Sequence, residues 1–198
     1  AATLTWTIET PGPDTSLDSY PPNPSNSATA GFTFSGAGAA SFECSLDDAP
    51  FAECASPHQV TNLADGPHFF AVRAVDDQGK ADTDYPIHFW IVDTTSPETT
   101  IDFTAVLPGS IHFTVHFTKP VNGFANGDVV LSGTAGATTA IVTNLHDRME
   151  FDLDVSGMTG DGTIIIAIAA SVATDAAGNG NAAAGPATYA LWSLITTT

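Results

Sequence analysis

Apolar residues in this chain fall in short clusters that alternate with polar ones, and Gly, Pro, Asn, Asp and Thr separate the clusters. Phe32 and Phe34 alternate with Thr33 and Ser35. Phe70, Val72 and Ala74 likewise alternate with Ala71 and Arg73, giving the two-residue period of a half-buried strand. This pattern predicts strands over residues 15–20, 29–35, 41–47, 51–54, 58–63, 68–76 and 86–92. A second series is predicted over 100–106, 110–117, 128–132, 138–145, 148–155, 163–171 and 187–195. Ile111, Phe113, Val115 and Phe117 share one face and read as core, while the nearly continuous apolar run Ile164–Ala170 suits a central strand. The Pro-rich stretch 21–24 belongs in a loop, where missing N–H groups cost nothing. Two series of seven short strands joined by turns predict an all-β chain of two successive two-sheet sandwiches.

Self-similarity points the same way. Trp6-Thr7-Ile8-Glu9-Thr10 through Thr15 matches Trp90-Ile91-Val92-Asp93-Thr94 through Thr99 position for position, and Trp192-Ser193-Leu194-Ile195 repeats the opening again. Asp76-Asp77-Gln78-Gly79-Lys80 and Asp175-Ala176-Ala177-Gly178-Asn179 precede the second and third Trp. Upstream of these, Val60-Thr61-Asn62-Leu63 parallels Val142-Thr143-Asn144-Leu145, and Asp65-Gly66 parallels Asp161-Gly162. The order implies that residues 1–9, with Leu4, Trp6 and Ile8 on one face, are the last strand of a preceding module or a donor strand. Domains over 10–93 and 94–198 follow.

Charge narrows the partners. Four Lys+Arg against 22 Asp+Glu give a formal net charge of −18, which repels nucleic acid and anionic membranes. No apolar run is long enough to span a bilayer, so membrane insertion is not expected. Cys44 and Cys54 flank the turn-like Asp47-Asp48-Ala49-Pro50, and a hairpin centred on residue 49 would place them directly opposite each other. Facing positions meet disulfide geometry, which predicts a bridge and an oxidising, extracellular compartment. The alternative is two free thiols in a reducing compartment.

The segments Phe42-Glu43-Cys44-Ser45-Leu46-Asp47, Phe51-Ala52-Glu53-Cys54, Leu63-Ala64-Asp65-Gly66 and Ala71-Val72-Arg73-Ala74-Val75-Asp76 resemble the bacterial Ig-like repeats of large secreted and surface adhesins. They are also similar to fibronectin type III, with Phe69 where a corner tyrosine would fall. The second half resembles a sister class of those repeats through Thr118-Lys119-Pro120-Val121-Asn122-Gly123-Phe124 and Ala173-Thr174-Asp175 through Asn181. The resemblance implies two tandem Ig-like/fibronectin III-like β-sandwich domains with no catalytic role. They would be secreted or at the cell surface, with neighbouring Ig-like domains of the same chain or identical subunits as partners.

Chemistry-bearing motifs are few. There is no Gly-x-Ser-x-Gly, no His-Glu-x-x-His and no phosphate-cradling Gly-rich loop, so no enzyme is expected. His112 and His116 lie about 13 Å apart along one strand and are expected to face solvent, as are Asp152 and Asp154. In an Ig-like order, the loop before the last strand shares an end with the domain's own N-terminus. Asp175 and Asn179 would then approach Asp93 and Glu98, and Asp76 and Asp77 would approach Glu9 and Asp14. Oxygen ligands meeting in this way suit Ca²⁺ at interdomain hinges, and some of the resembled adhesin repeats carry such ions. The alternative is that these residues simply close turns. Three functional readings follow: a structural repeat segment of a surface stalk or fibre, a filament subunit assembling by strand addition through residues 1–9, and a carbohydrate-binding accessory module of a secreted enzyme. The distal ligand is not encoded here.

Overall fold

In strand β9 (Ser110–Phe117) every second side chain, Ile111, Phe113, Val115 and Phe117, is buried and the others face outward. The same alternation organises most of the computed structural model, which describes residues 12–145 and 147–192. The chain forms two units that divide between Thr94 and Thr95.

The first unit contains β1 (Asp14–Ser19), β2 (Ala30–Ala37), β3 (Ser41–Leu46), β4 (Ala52–Cys54), β5 (His58–Val60), β6 (Gly66–Val75) and β7 (Ile87–Val92). One sheet has the order β1-β2-β5 and the other β4-β3-β6-β7, with all named pairs antiparallel. Phe32, Phe34, Phe70, Val72, Trp90 and Val92 fill the space between them. Phe32 stacks on Phe70 at 3.9 Å between ring centroids and meets Trp90 edge-on at 5.5 Å.

The second unit contains β8 (Thr99–Leu107), β9, β10 (Val129–Ser132), β11 (Thr139–Asn144), β12 (Glu150–Ser156), β13 (Gly162–Ile168) and β14 (Ala184–Leu191). Its sheets run β11-β12-β9-β8 and β10-β13-β14. This is the order of immunoglobulin constant-type domains, with the fourth strand beside the fifth. In the first unit the fourth strand, β4, lies beside the third instead, the fibronectin III-like variant of the sandwich. The fold is therefore all-β, two Ig-like/fibronectin III-like sandwiches in tandem. β13 is central in its sheet, as its apolar run requires.

Three sequence expectations change. The first concerns the cysteines. Cys44 and Cys54 are bridged, with Cα atoms 5.8 Å apart, but they are diagonal rather than opposite: Cys44 pairs with Ala52, and Cys54 with Phe42. The turn sets this register. Asp47 and Asp48 both have positive φ (49° and 61°), and Ala49 N–H donates to the Leu46 carbonyl at 2.9 Å, closing a two-residue turn ahead of the midpoint between the cysteines. The second concerns Val60–Leu63 and Val142–Leu145, which occupy different strands of the topology. β5 pairs with β2, whereas β11 pairs with β12, and Leu63 is buried while Leu145 is exposed.

The third concerns the last Trp. β14 ends at Leu191, and Trp192 is 76% exposed, whereas Trp90 is 1% exposed. Gly66 faces Val92 across β6–β7, and Gly162 faces Leu191 across β13–β14. Counting back two residues, the positional counterpart of Trp90 is Tyr189, which packs against Phe103 and Phe113. The phrase match at the chain's end is therefore three residues out of register.

Candidate functional site

The sequence candidates converge on the loop that follows β6 in the first unit and β13 in the second. Each loop contains an Asp-x-x-Gly turn held by one set of hydrogen bonds. Asp76 N–H donates to the Lys80 carbonyl at 3.0 Å, and Gly79 N–H donates to the Asp76 carbonyl at 3.1 Å. Asp175 N–H donates to the Asn179 carbonyl at 3.0 Å, and Gly178 N–H donates to the Asp175 carbonyl at 3.2 Å. The Asp76 Oδ1 accepts from the N–H groups of Gln78 and Lys80, and the Asp175 Oδ1 accepts from those of Ala177 and Asn179. Glycine supplies the positive φ that each turn needs, 78° at Gly79 and 93° at Gly178.

Six residues beyond each Asp lies a second, buried polar group: Asp82 in the first unit, Asn181 in the second. The Asp82 Oδ2 accepts from Thr15 N–H at 2.9 Å and Thr15 Oγ1 at 2.6 Å, and Thr15 Oγ1 accepts from Ala74 N–H at 2.9 Å. The Asn181 Oδ1 accepts from Ala173 N–H at 2.9 Å, and its Nδ2 donates to the carbonyls of Ala169 and Ala182. Thr99 Oγ1 donates to the same Ala182 carbonyl at 3.0 Å and lies 3.5 Å from Asn181 Nδ2. A Thr on the first strand of each sandwich is thus fastened to the loop before its last strand by a side chain at an equivalent position. Thr15 and Thr99 are the paired positions of the repeated phrase. Their partners share an Asp-x₅-Asp/Asn spacing from the turn Asp, a recurrence in the sequence that does not by itself say which Thr they meet.

Electrostatics follow the contacts. The Thr15 hydroxyl and the N–H groups of Asp84, Thr15 and Thr83 hold the Asp82 carboxyl below its ordinary value against the opposing effect of burial. Burial pushes Asp175 up, but hydrogen bonds from Asn179 and the adjacent Lys119 ammonium outweigh it and leave the group depressed. Lys119 Nζ lies 3.2 Å from Asp175 Oδ2 and donates to the Thr95 carbonyl, while Asn179 Nδ2 donates to the same Oδ2 at 3.0 Å.

These placements bear on calcium. Within the second unit Asp175 and Asn179 are hydrogen-bonded and buried, and the Lys119 ammonium lies against the same Asp175 Oδ2 that Asn179 Nδ2 serves. Both oxygens of Asp175 are taken up by N–H donors, which does not suit a cation that needs six to eight oxygen ligands. Glu98 has an exposed side chain, and its N–H donates to Thr118 Oγ1. Asp93 belongs to the first unit. Asp14 is exposed at the start of β1, and Asp77 is exposed within its turn. Glu9, Leu4, Trp6 and Ile8 lie outside the described residues. Among the described residues no group of three or more His, Cys, Asp or Glu is arranged to hold a metal.

The paired strand residues are ordinary in position. His112 Nδ1 lies 3.2 Å from Asp152 Oδ1 on the outward face of β9 and β12, and His116 lies 3.9 Å from Glu150. No described helix is long and apolar enough to cross a membrane.

Comparison with known proteins adds little. No protein-family model and no curated protein matches the chain. A solved structure described as a marsupial T cell receptor is 10% identical, covering 92% of this chain and 98% of that one, with a TM-score of 0.27. The strand order of each unit, not that likeness, identifies the fold.

Proposed function

We propose that this chain is a structural, non-catalytic Ig-like repeat segment of an extracellular surface stalk or fibre. The observation that carries the reading is the recurrence of one polar fastening, Thr15 with Asp82 and Thr99 with Asn181, at equivalent places in both sandwiches. A module that repeats its loop chemistry as well as its strands is a unit of a tandem array, in which each domain is a stiff bead. The Cys44–Cys54 bridge supports an oxidising compartment, and the acidic surface keeps neighbouring chains apart and in solution. The partners in this reading are further Ig-like domains of the same polypeptide. The test is the denaturing mass of the native polypeptide from its source. A mass several times 20.3 kDa fits a tandem stalk, and a mass near that value overturns it in favour of a small subunit.

A further inference from the structure

The outward face of the sheet β4-β3-β6-β7 is unlike the rest of this acidic molecule. Ile87, Phe89 and Ile91 on β7 are 47%, 64% and 48% exposed, and Phe69 on β6 packs beside Phe89 with ring centroids 5.6 Å apart. A shallow cleft of about 300 Å³, lined by Phe51, Phe69, Ala71, Tyr85 and Ile87 among others, continues this surface across β6. Among the described residues the one ion on the β6–β7 half of the face is Arg73, which is paired with Glu43 at 2.7 Å and lies over the Phe51 ring, while the exposed Asp48 lines the far side of the cleft at the β3–β4 turn.

The edge of β7 is lined by the segment that follows β1. Pro67, which has no N–H, faces Ile91, so Ile91 turns its own N–H outward, where it donates to Asn23 Oδ1. Ser25 accepts from Asp93 N–H and donates to the Ile91 carbonyl, covering that end of the strand. By the same alternation the backbone groups of Ile87 and Phe89 point away from β6, and beside them Tyr20 stacks on the His88 ring at 4.1 Å. The edge of β7 is thus lined by the 20–25 segment, and it is the apolar face that among the described residues has neither charge nor cover.

We propose that this face is a contact between two copies of this chain, packed sheet face to sheet face about a two-fold axis. Charge restricts where two copies can meet. With a net charge of −18, two copies approach at low cost only through a face with no unpaired ion, and the β6–β7 half supplies one. The stripe is also self-complementary: Ile87, Phe89 and Ile91 read the same in either direction, so a two-fold axis at Phe89 sets Phe89 against its copy and Ile87 against the copy's Ile91. That is the isologous arrangement of a symmetric dimer. Three exposed side chains of one strand and their neighbours on β6 fall well short of the about 20–30 residues a side of a standard interface, so the contact is weak and reversible. It does not depend on the stalk reading.

Sedimentation of the full 198-residue chain between about 0.01 and 1 mM, the range in which a weak transient contact is populated, tests the contact. The expected result is a monomer–dimer equilibrium that tightens severalfold as added NaCl screens the self-repulsion. Phe89→Lys and Ile87→Lys should each weaken it at least about tenfold while the monomer stays folded with only a small drop in melting temperature, the cost of the lost cross-strand packing. Ile141→Lys, at an exposed position of the second unit, should leave it intact. A wild-type monomer throughout at both salt levels overturns the proposal and leaves the face to another occupant such as an apolar peptide strand. Retention of the dimer in both β7 variants, or its equal loss in Ile141→Lys, overturns it as well.

Discussion

His68 shows how one side chain couples two loops to a strand. Its Nδ1 lies 2.7 Å from Asp47 Oδ2 and its Nε2 lies 2.8 Å from the Ala64 carbonyl. A carbonyl only accepts, and the carboxylate also accepts, so the ring satisfies both when doubly protonated. Burial pushes the imidazole down, but the Ala64 carbonyl and Asp47 together outweigh it and hold the group above its ordinary value. The stability gained is therefore complete below about pH 6.5 and is lost as pH rises through the raised folded value. His88 works in the opposite sense: burial depresses it, despite a bond to the Pro21 carbonyl, so stability is lost as pH falls from about 6.5 through the depressed folded value. Chemical denaturation of wild type and His68→Asn at several pH values separates the two. The difference in stability should be about 1 kcal/mol near pH 5.5 and should shrink towards pH 8.5, given that Asp47 is partly exposed. A difference that stays flat with pH would remove the imidazolium from the account.

At the scale of elements, the first strand of each sandwich is held at both levels: by its sheet ladder and by the Thr fastening. Thr15 Oγ1 is the acceptor for the N–H of fully buried Ala74 and the donor to Asp82. Thr15→Val removes both at once and leaves a buried N–H and a carboxylate short of partners, which should cost about 2 kcal/mol. Thr99→Val removes the bond to the Ala182 carbonyl and the long 3.5 Å contact from Asn181 Nδ2, but Asn181 Nδ2 still serves that carbonyl and the Ala169 carbonyl, so the loss should be about half as large, about 1 kcal/mol. Urea midpoints of the two variants check the ranking, and equal losses would mean that the two fastenings are not graded by their chemistry. The strands themselves were legible to within a few residues because alternation marks a half-buried face wherever it occurs, as in Phe32 and Phe34 or Ile111 through Phe117. The fastenings were less so. Thr15 and Thr99 stood in the repeated phrase, yet nothing local in the sequence tells that Asp82 and Asn181, dozens of residues on, come to the same place.

For the molecule as a whole, charge is the dominant condition. Screening the −18 should raise the melting temperature between low salt and about 0.5 M NaCl, because the compact state concentrates the repulsion. CaCl₂ and MgCl₂ at matched ionic strength should give equal shifts, since the Asp175 oxygens are already occupied by N–H donors. An extra shift specific to Ca²⁺, abolished by Asp175→Asn, would instead establish an ion site that displaces Lys119.

What the sequence determined by itself is local: which residues alternate, where Asp, Gly and Pro turn the chain, that two cysteines flank one turn, and that loop phrases recur. Each of these follows from backbone sterics or a two-residue period, which neighbouring residues encode. Tertiary structure alone decided which partner each face and edge received. Alternation says that β4 and β11 have an inside and an outside but not whether the fourth strand joins the third or the fifth, and the two units chose differently. It also did not say that Lys119 would lie against Asp175, that Tyr189 rather than Trp192 would take the place of Trp90, or that Phe89 would be left in water. Partner choice is a sum over long-range contacts in which a turn register, a charge or one cavity tips the balance, and no window of the chain contains that sum.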